Sequence, residues 1–491
     1  WNAYDFVDFL ASCKQHYWQI LPLTTTSYGD SPYQSFSARA GNPNFIDFAE
    51  LIEAGYLEQC DIDGVYLGSD PSNVDYGAIF GGRRQILDRA AERFAADKPA
   101  DFDDFIQANE DWLIPYCEFM TVKEECGLKA FWEWPAELRT RGEASAKVCT
   151  DHPARMLYHQ MTQYFFDRQW SRLKAYANER DILIIGDLPI YVSRDSVEMW
   201  ATPELFKIDA AGNPVSVAGT PPDQFSATGQ YWGNPIYDWD AMEACGFSWW
   251  EGRIRAALDM YDVIRLDHFR GFEAYWEVPF SSPDSSYGSW TQGPGLKLFK
   301  TLEEKLGTLP IIAEDLGELF PSVRKLLADS TFPGMKVLQF AFGGGDNEYL
   351  PHNHVKNGVV YPGTHDNTTL TDWWENGASE KEKATAAAYL HLTPCKPTAK
   401  EVAAVKTAAA RTALLRAALG SVADRAIIPM YDWLGLGAEA HLNTPGKLGG
   451  NWAWRAKAGF DSKALAAQIK AECAVYCRCN ADVQNVKESA I

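Results

Sequence analysis

Short apolar segments alternate with helical patterns along this chain, and that alternation constrains its fold more than any other feature. The segments are Tyr17–Leu23, Ile182–Leu188, Val263–Asp267, Leu309–Glu314, Met335–Phe340, Gly358–Tyr361 and Ala426–Met430. Brief apolar runs separated by helices are typical of the buried strands of a parallel sheet. We therefore predict an α/β protein built on a (β/α)8 TIM barrel with inserted subdomains.

The number of predicted strands is one short of a closed eight-stranded barrel. The chain begins at Trp1 directly in a helical pattern that runs through Leu10. Either the first barrel strand is missing from the sequence, or the strand count is wrong.

Two long intervals between predicted strands indicate insertions within a single catalytic domain, residues 1–491. Helical patterns dominate the first interval, and we assign residues 58–150 to a helical insertion that packs beside the barrel. The second, residues 189–240, is rich in Gly, Pro and Asn, and we interpret it as an ordered active-site loop. Longer helices are predicted at Arg83–Ala96, Asp101–Thr121, Asp151–Arg180 and Thr398–Ala423.

The charge of the chain excludes several kinds of partner. Its 45 basic and 66 acidic residues give a formal net charge of −21. A field of this sign repels nucleic-acid phosphates and anionic lipid headgroups. No stretch approaches the roughly 20 apolar residues of a membrane span, and the first residues do not resemble a secretory signal. We predict a globular cytoplasmic protein with neither nucleic acid nor membrane as a partner.

The ten cysteines are scattered at irregular spacing, which in so large a chain indicates reduced thiols rather than a disulfide framework. Cys473, Cys477 and Cys479 lie close in sequence, but without a nearby histidine they do not complete a tetrahedral zinc site. We interpret them as free thiols.

Aromatic residues make up 13% of the chain and include 18 tryptophans, several of them in Gly- and Pro-rich segments. The apolar faces of sugar rings stack on flat aromatic rings, so aromatics held on loops suit a carbohydrate cleft. The alternative is that these residues fill a large core.

Three of the predicted strands end in a polar cluster that holds a carboxylate. The clusters contain Asp267, Glu314 and Asp366. In a parallel barrel the carboxyl ends of the strands form the active face, so these side chains are expected to converge. Cleavage of a glycosidic bond requires one neutral carboxyl to protonate the leaving oxygen and one ionised carboxylate opposite it.

Sequence context suggests a role for each carboxylate. Arg265 precedes Asp267 by two residues on a strand, so both side chains point the same way and the guanidinium holds Asp267 as an anionic nucleophile. Glu314 ends an Ile-rich strand, and burial there raises its pKa as a general acid/base requires. Asp366 hydrogen-bonds sugar hydroxyls in the transition state.

Two other interpretations of these clusters remain open. An Asp at a strand end often caps the next helix, and Glu-Asp-Leu-Gly is compatible with a simple turn. The histidines suggest a metal, but no His-x-x-x-His or paired His/carboxylate spacing is present, so we expect neither metal nor cofactor.

Several long motifs resemble those of the amylomaltase family of 4-α-glucanotransferases, in the α-amylase clan, over Trp1 to about Arg455. The motifs are Trp18-Gln-Ile-Leu-Pro-Leu23, Tyr28-Gly-Asp-Ser-Pro-Tyr-Gln-Ser-Phe-Ser37, Gly186-Asp-Leu-Pro-Ile-Tyr-Val192, Pro221-Pro-Asp to Trp232-Gly-Asn-Pro235, Arg265-Leu-Asp-His-Phe-Arg-Gly271, Ala313-Glu-Asp-Leu-Gly317, Gly363-Thr-His-Asp-Asn367 and Gly450-Asn-Trp-Ala-Trp-Arg455.

The resemblance implies the same three catalytic roles, in a retaining double displacement through a covalent glycosyl-aspartate. It implies sugar contacts from Tyr33, Gln230, Trp232, Arg265, His268, Asp315, His365 and Asn443. It also implies malto-oligosaccharides, amylose or glycogen-derived dextrins as donors, and glucose or maltodextrin as acceptors.

The sequence departs from the family at two places. The first strand and a His-containing loop that usually open the family are absent, and His441-Leu-Asn443 stands where the family more often has Arg-Met-Asn. For Asn443 a purely structural turn is therefore an alternative.

Transfer and hydrolysis share the glycosyl-enzyme intermediate and differ in whether a sugar hydroxyl or water arrives second. We hypothesise that the segment Gly219–Pro235, with Tyr231 and Trp232, covers the cleft and displaces water. The alternative functions are a retaining α-glucan hydrolase of the α-amylase type and an inactive glucan-binding scaffold.

Overall fold

The computed structural model describes residues 2–27, 29–222, 226–317, 320–447 and 449–479, and the motif residues Tyr28 and Asp223 lie outside these ranges. Strands in the described chain are β1 (Tyr17–Gln19), β2 (Leu183–Leu188), β3 (Ser216–Thr220), β4 (Gln230–Pro235), β5 (Val263–Leu266), β6 (Ala274–Pro279), β7 (Ser289–Gln292), β8 (Ile311–Ala313), β9 (Gly334–Val337), β10 (Gly358–Tyr361) and β11 (Arg425–Ala426).

The central sheet contains all seven strands expected from the apolar runs. Their order is β1-β2-β5-β8-β9-β10-β11, and every pairing is parallel. Successive strands of this sheet are joined through α-helices, as in a (β/α)8 barrel, except that β9 and β10 are joined by a segment with two short 3₁₀ turns, Leu338–Phe340 and Pro351–Asn353. A cavity of about 440 Å³ lies between the two end strands, β1 and β11, and reaches Arg265 and His365. The predicted barrel-type sheet is confirmed.

Helices surround this sheet. The first ten are α1 (Asn2–Ser12), α2 (Phe48–Glu53), α3 (Gln59–Ile62), α4 (Tyr76–Ala96), α5 (Phe102–Ala108), α6 (Glu110–Glu125), α7 (Glu143–Asp151), α8 (Pro153–Asn178), α9 (Val197–Ala201) and α10 (Trp239–Ala244). The remainder in the described ranges are α11 (Ser248–Met260), α12 (Leu296–Leu306), α13 (Pro321–Ser330), α14 (Leu370–Asp372), α15 (Glu380–Tyr389), α16 (Ala399–Ala403), α17 (Thr407–Leu419), α18 (Met430–Leu434) and α19 (Lys463–Val475).

Two long predicted helices are each divided in two. The helix expected at Asp101–Thr121 breaks at Asn109, which has φ −120° and bonds back only three residues, to Ile106. The alanine-rich helix expected at Thr398–Ala423 breaks before Thr407, because Lys406 is extended with φ −70° and ψ 136°. In both cases a local backbone conformation overrides good helix propensity.

A second, antiparallel sheet takes two of its four strands, β3 and β4, from the interval that we interpreted as a loop. Its order is β4-β3-β6-β7, and Gly219 marks an irregularity in the pairing of β3 with β4. A Cβ on Gly219 would lie 2.5 Å from the Gln230 carbonyl oxygen, so only glycine allows this close pairing. The loop interpretation of Gln230–Pro235 is therefore wrong, because these residues form β4.

The helical interval 58–150 shares its core with neighbouring parts of the chain. Leu87, Phe94 and Phe102 within the interval pack with Leu51 and Phe165 outside it.

All ten cysteines are free thiols, as predicted. In the part of the chain that is described, no helix combines the length and apolar character needed to cross a membrane.

Candidate active site

Three neighbouring regions at the carboxyl edge of the central sheet supply the predicted acids. Asp267 directly follows β5, Glu314 directly follows β8, and Asp366 follows β10. Since β5 and β8 are hydrogen-bonded neighbours, Asp267 and Glu314 are brought together. The backbone N–H of His268, the next residue after Asp267, donates to Glu314 Oε2 at 2.8 Å.

Exposure distinguishes the three carboxylates. Glu314 is 8% exposed, whereas the side chains of Asp267 and Asp366 are 26% and 44% exposed. The pocket thus buries one acid deeply and leaves two carboxylates open to a ligand.

Arg265 contacts Asp267 as expected, but it does not serve Asp267 alone. Its Nη1 lies 3.1 Å from Asp267 Oδ1 and 2.8 and 2.7 Å from the two oxygens of Asp187. The surrounding protein removes water from most of the Asp267 carboxylate, although 26% of the side chain is exposed, and this raises its pKa to about 7. Arg265 acts to lower the pKa, and Asp187 and Asp366 raise it further. The expectation that Arg265 simply holds Asp267 as an anion is corrected, because a second carboxylate shares the guanidinium.

Glu314 lies in the protected setting that the sequence predicts. Its Oε1 accepts the backbone N–H of Leu316 at 2.9 Å, while Oε2 accepts that of His268. Burial raises the pKa of Glu314 to about 8, opposed by the charge of Arg265 and by these N–H bonds and assisted by Asp267. The predicted rise in pKa is confirmed in direction, and a neutral Glu314 can donate a proton near neutral pH.

Two hydrogen bonds and one longer contact link Tyr33, His365, Asp366 and Asn443 at one edge of the site. The Tyr33 hydroxyl lies 2.8 Å from Asp187 Oδ2 and 3.0 Å from His365 Nε2. His365 Nε2 is 3.5 Å from Asp366 Oδ2, and Asn443 Nδ2 donates to Asp366 Oδ1 at 2.6 Å. Four predicted sugar-contact or catalytic residues thus share one network.

Gln230, Trp232 and His268 form a second group next to Glu314. The Trp232 ring meets the His268 ring edge-on at 4.9 Å, and Trp232 Nε1 donates to Gln230 Oε1 at 3.1 Å. Burial and the charge of Arg270 lower the pKa of His268 to about 3, so its imidazole is neutral. An aromatic face and neutral polar groups on one wall suit a sugar ring.

Asp315 is placed differently from the other predicted contacts. It is 3% exposed, and its oxygens accept the Met335 backbone N–H at 2.6 Å and face Lys336 Nζ at 3.4 Å. Gly334 packs directly against this carboxylate, because a Cβ there would lie 2.7 Å from Asp315 Oδ2. These partners are protein groups, so the geometry gives Asp315 a role in joining β8 to β9 rather than in contacting sugar.

Two residues of the site were not singled out by sequence reasoning. Asp187 is the penultimate residue of β2, close to the carboxyl edge that carries the other acids. The signal that identified those acids, a carboxylate at the end of an apolar strand, therefore applied to it as well. Trp452 packs on the rings of Tyr33 and His365, each at 5.7 Å, with a left-handed φ of 63°. Such a conformation is rare for a large side chain, and the sequence gives no signal for it.

A parallel barrel-type sheet whose strand ends hold a buried acid against an arginine-paired carboxylate defines an enzyme that cleaves glycosidic bonds. The family profile described as 4-alpha-glucanotransferase, glycoside hydrolase family 77, matches residues 2–461. The chain belongs to this family of glucan-transferring enzymes, as the motif resemblance predicted.

Relatives with the same description support the assignment. The 4-alpha-glucanotransferase of Streptococcus pneumoniae is 46% identical over 491 residues, covering 99% of this chain and 95% of the relative. That of Thermus thermophilus is 44% identical over 478 residues, covering 96% and 93%.

Solved structures agree with this assignment. Amylomaltase from Streptococcus agalactiae in complex with acarbose superimposes with a TM-score of 0.92 at 43% identity, covering 98% of this chain and 95% of that one. Amylomaltase from Corynebacterium glutamicum, at 17% identity and a TM-score of 0.74 over 97% and 72% of the two chains, shows the same fold.

Proposed function

We propose that this chain transfers α-1,4-glucan segments by a retaining double displacement through a covalent glycosyl-Asp267. The observation that carries the proposal is the pairing of a buried, proton-retaining Glu314 with an Asp267 that contacts Arg265. Retaining glycoside chemistry needs a protonated acid beside an ionised nucleophile. The pKa of Glu314, about 8, is higher than that of Asp267, about 7, so the proton stays on Glu314.

In the first half-reaction the neutral Glu314 donates its proton to the glycosidic oxygen. Asp267 attacks the anomeric carbon, the bond from that carbon to the leaving sugar breaks, and a glycosyl ester forms. In the second half-reaction the ionised Glu314 takes a proton from an acceptor hydroxyl. That oxygen attacks the anomeric carbon, and the Asp267 ester bond breaks.

Asp366 stabilises the distorted, positively charged sugar ring between these steps. Its side chain is the most exposed of the three acids, and Asn443 and His365 orient it. An oriented carboxylate that binds hydroxyls more strongly in the transition state lowers the barrier without tightening substrate binding equally.

The sugar contacts that we propose follow the two groups of side chains around the acids. They are Tyr33, Gln230, Trp232, Arg265, His268, His365 and Asn443. Arg265 is 3% exposed, so its contribution acts chiefly through Asp267. Donors are malto-oligosaccharides or dextrins from amylose or glycogen, and acceptors are glucose or maltodextrin.

Incubation with maltotriose alone tests this function. Transfer yields free glucose together with oligosaccharides longer than maltotriose, whereas hydrolysis yields reducing ends without elongation. We expect the elongated series, and its absence alongside hydrolysis would contradict the proposal.

Asp267→Asn tests the nucleophile in the same assay. The substitution keeps the shape and removes the charge, so we expect turnover to fall by several orders of magnitude in a folded protein. Asp262→Asn is the matched control, because Asp262 lies beside the opposite end of β5, where it accepts the Ile184 N–H at 2.8 Å. Full activity of Asp267→Asn would rule out the assignment.

A further inference from the structure

One positive charge serves two carboxylates at the base of the site. Asp187 and Arg265 lie directly opposite each other on the paired strands β2 and β5. Arg265 Nη1 contacts both oxygens of Asp187, at 2.8 and 2.7 Å, and one oxygen of Asp267 at 3.1 Å. By distance and by number of contacts, Asp187 is the closer partner.

Burial strengthens the effect of this competition. Asp187 and Arg265 are 2% and 3% exposed, whereas Asp267 opens toward solvent. Charges that are removed from water interact more strongly than exposed ones. The negative charge of the buried Asp187 therefore offsets much of the attraction that Arg265 exerts on Asp267. The Tyr33 hydroxyl also donates to Asp187, at 2.8 Å, and fixes the orientation of its carboxylate.

We propose that Asp187 is a positioning residue whose negative charge offsets part of the positive charge of Arg265. Asp267 is then stabilised only partly as an anion and remains a reactive nucleophile. This inference rests on the proposed role of Asp267. Asp187 itself has no contact with the sugar in this scheme and acts through Arg265.

The direction of the effect follows from the charges around Asp267. The negative charge of Asp187 raises the pKa of Asp267, and Arg265 lowers it. The other titratable groups that face Arg265 or Asp187 from the packed elements are Tyr33, Tyr261, Glu314, Tyr361 and His365. Asp366 acts on Asp267 directly. A neutral residue at position 187 leaves all of these in place and gives Asp267 the full attraction of Arg265.

Asp187→Asn tests the inference through the pH profile of kcat/KM, whose acid limb reports ionisation of the nucleophile in the free enzyme. In the wild type, activity is lost as pH falls through the pKa of Asp267. We expect the acid limb of Asp187→Asn to move to lower pH by about one unit. If Asp187→Asn does not fold, Asp187→Ser supplies the same loss of charge in a smaller side chain.

Two further variants separate charge sharing from a structural role. Asp187→Glu keeps the charge, so its acid limb is expected to stay near that of the wild type even where activity falls. Asp195→Asn removes another carboxylate that pairs with a buried cation, Lys123, away from the acids. It is expected to lower thermal stability without moving the limb.

An uncharged residue at position 187 with an unchanged acid limb would overturn the inference, because only scaffolding would then remain as its role. This outcome differs from failure of the proposed function, in which Asp267→Asn would itself retain activity. The pH profiles of the wild type and of every variant are measured on the full chain with maltotriose as substrate.

Discussion

At the scale of single residues, the raised pKa of the buried Glu314 predicts how activity depends on pH. Glu314 must carry a proton in the first half-reaction, and its pKa is raised to about 8. We therefore expect kcat/KM for maltotriose to decline as pH rises through about 8. Since Asp267 and Glu314 interact, the two limbs of the profile belong to the pair.

Glu314→Gln identifies the residue responsible for the basic limb. A glycosyl fluoride has a leaving group that needs no proton, so we expect its cleavage by the variant to be spared relative to maltotriose. The decline at high pH should also disappear for the first half-reaction with the fluoride. The initial burst of fluoride release measures this step, because the second half-reaction still needs Glu314 as a base. Equal losses with both substrates would contradict the acid role.

Asn443 offers a second test at this scale. Its bond to Asp366 is charge-assisted, so Asn443→Ala is expected to lower kcat about tenfold or more, with a smaller change in KM. The matched control is Asn376→Ala, which removes an Asn–Asp hydrogen bond of 2.7 Å at an exposed position. Unchanged kcat in Asn443→Ala would indicate that Asn443 belongs only to a turn.

At the scale of elements, the β3–β4 hairpin brings Trp232 to the wall beside His268. Neighbouring side chains on a strand alternate, and Tyr231 instead donates its hydroxyl to the Phe280 carbonyl at 3.0 Å. We expect Trp232→Ala to admit water to the glycosyl-enzyme and to raise the ratio of hydrolysis to transfer.

Tyr231→Ala is the control for that change, because it removes an aromatic side chain from the opposite side of the same strand. The ratio of free reducing ends to elongated products from maltotriose measures both variants. Equal ratios in the two variants would mean that Trp232 does not keep water away from the glycosyl-enzyme.

The parallel strands were predictable because strands buried on both faces are continuous apolar runs. The predicted segment Gly358–Tyr361 coincides with β10, and Ile182–Leu188 differs from β2 by one residue. The hairpin was not predictable in the same way. Its Gly, Pro and Asn content is typical of loops, and its strand character depends on pairing with β6, which is distant in sequence.

The site was predictable to a similar degree. Asp267, Glu314 and Asp366 stand out because each follows an apolar strand, and the structure brings them to one edge. The orientation of the Asp315 side chain toward β9, and the contact of Arg265 with Asp187 on β2, depend on packing between neighbouring strands. Such contacts follow from tertiary packing and not from local sequence.

At the scale of the whole molecule, buried carboxyls link stability to pH. Asp432 is buried, accepts the Leu370 N–H at 2.7 Å, and has a pKa raised by burial to about 7 from 3.8. A raised pKa in the folded state favours folding while the group is protonated. That stability is lost as pH rises through about 7.

Asp432→Asn should remove this dependence. We expect the free energy of unfolding of the variant, relative to the wild type, to increase by roughly 4 kcal/mol between pH 4 and pH 8. Denaturant unfolding at both pH values measures the difference. A constant difference would show that folding does not raise the pKa of Asp432.

The proposed reaction depends on Asp267 bonding to the anomeric carbon, and trapping that bond is its most direct test. Glu314→Gln treated with maltosyl fluoride should form the intermediate quickly and release it slowly. After digestion, mass spectrometry is expected to find the sugar on the peptide that contains Asp267. A sugar attached to another residue, or its presence in Asp267→Asn treated the same way, would contradict the account.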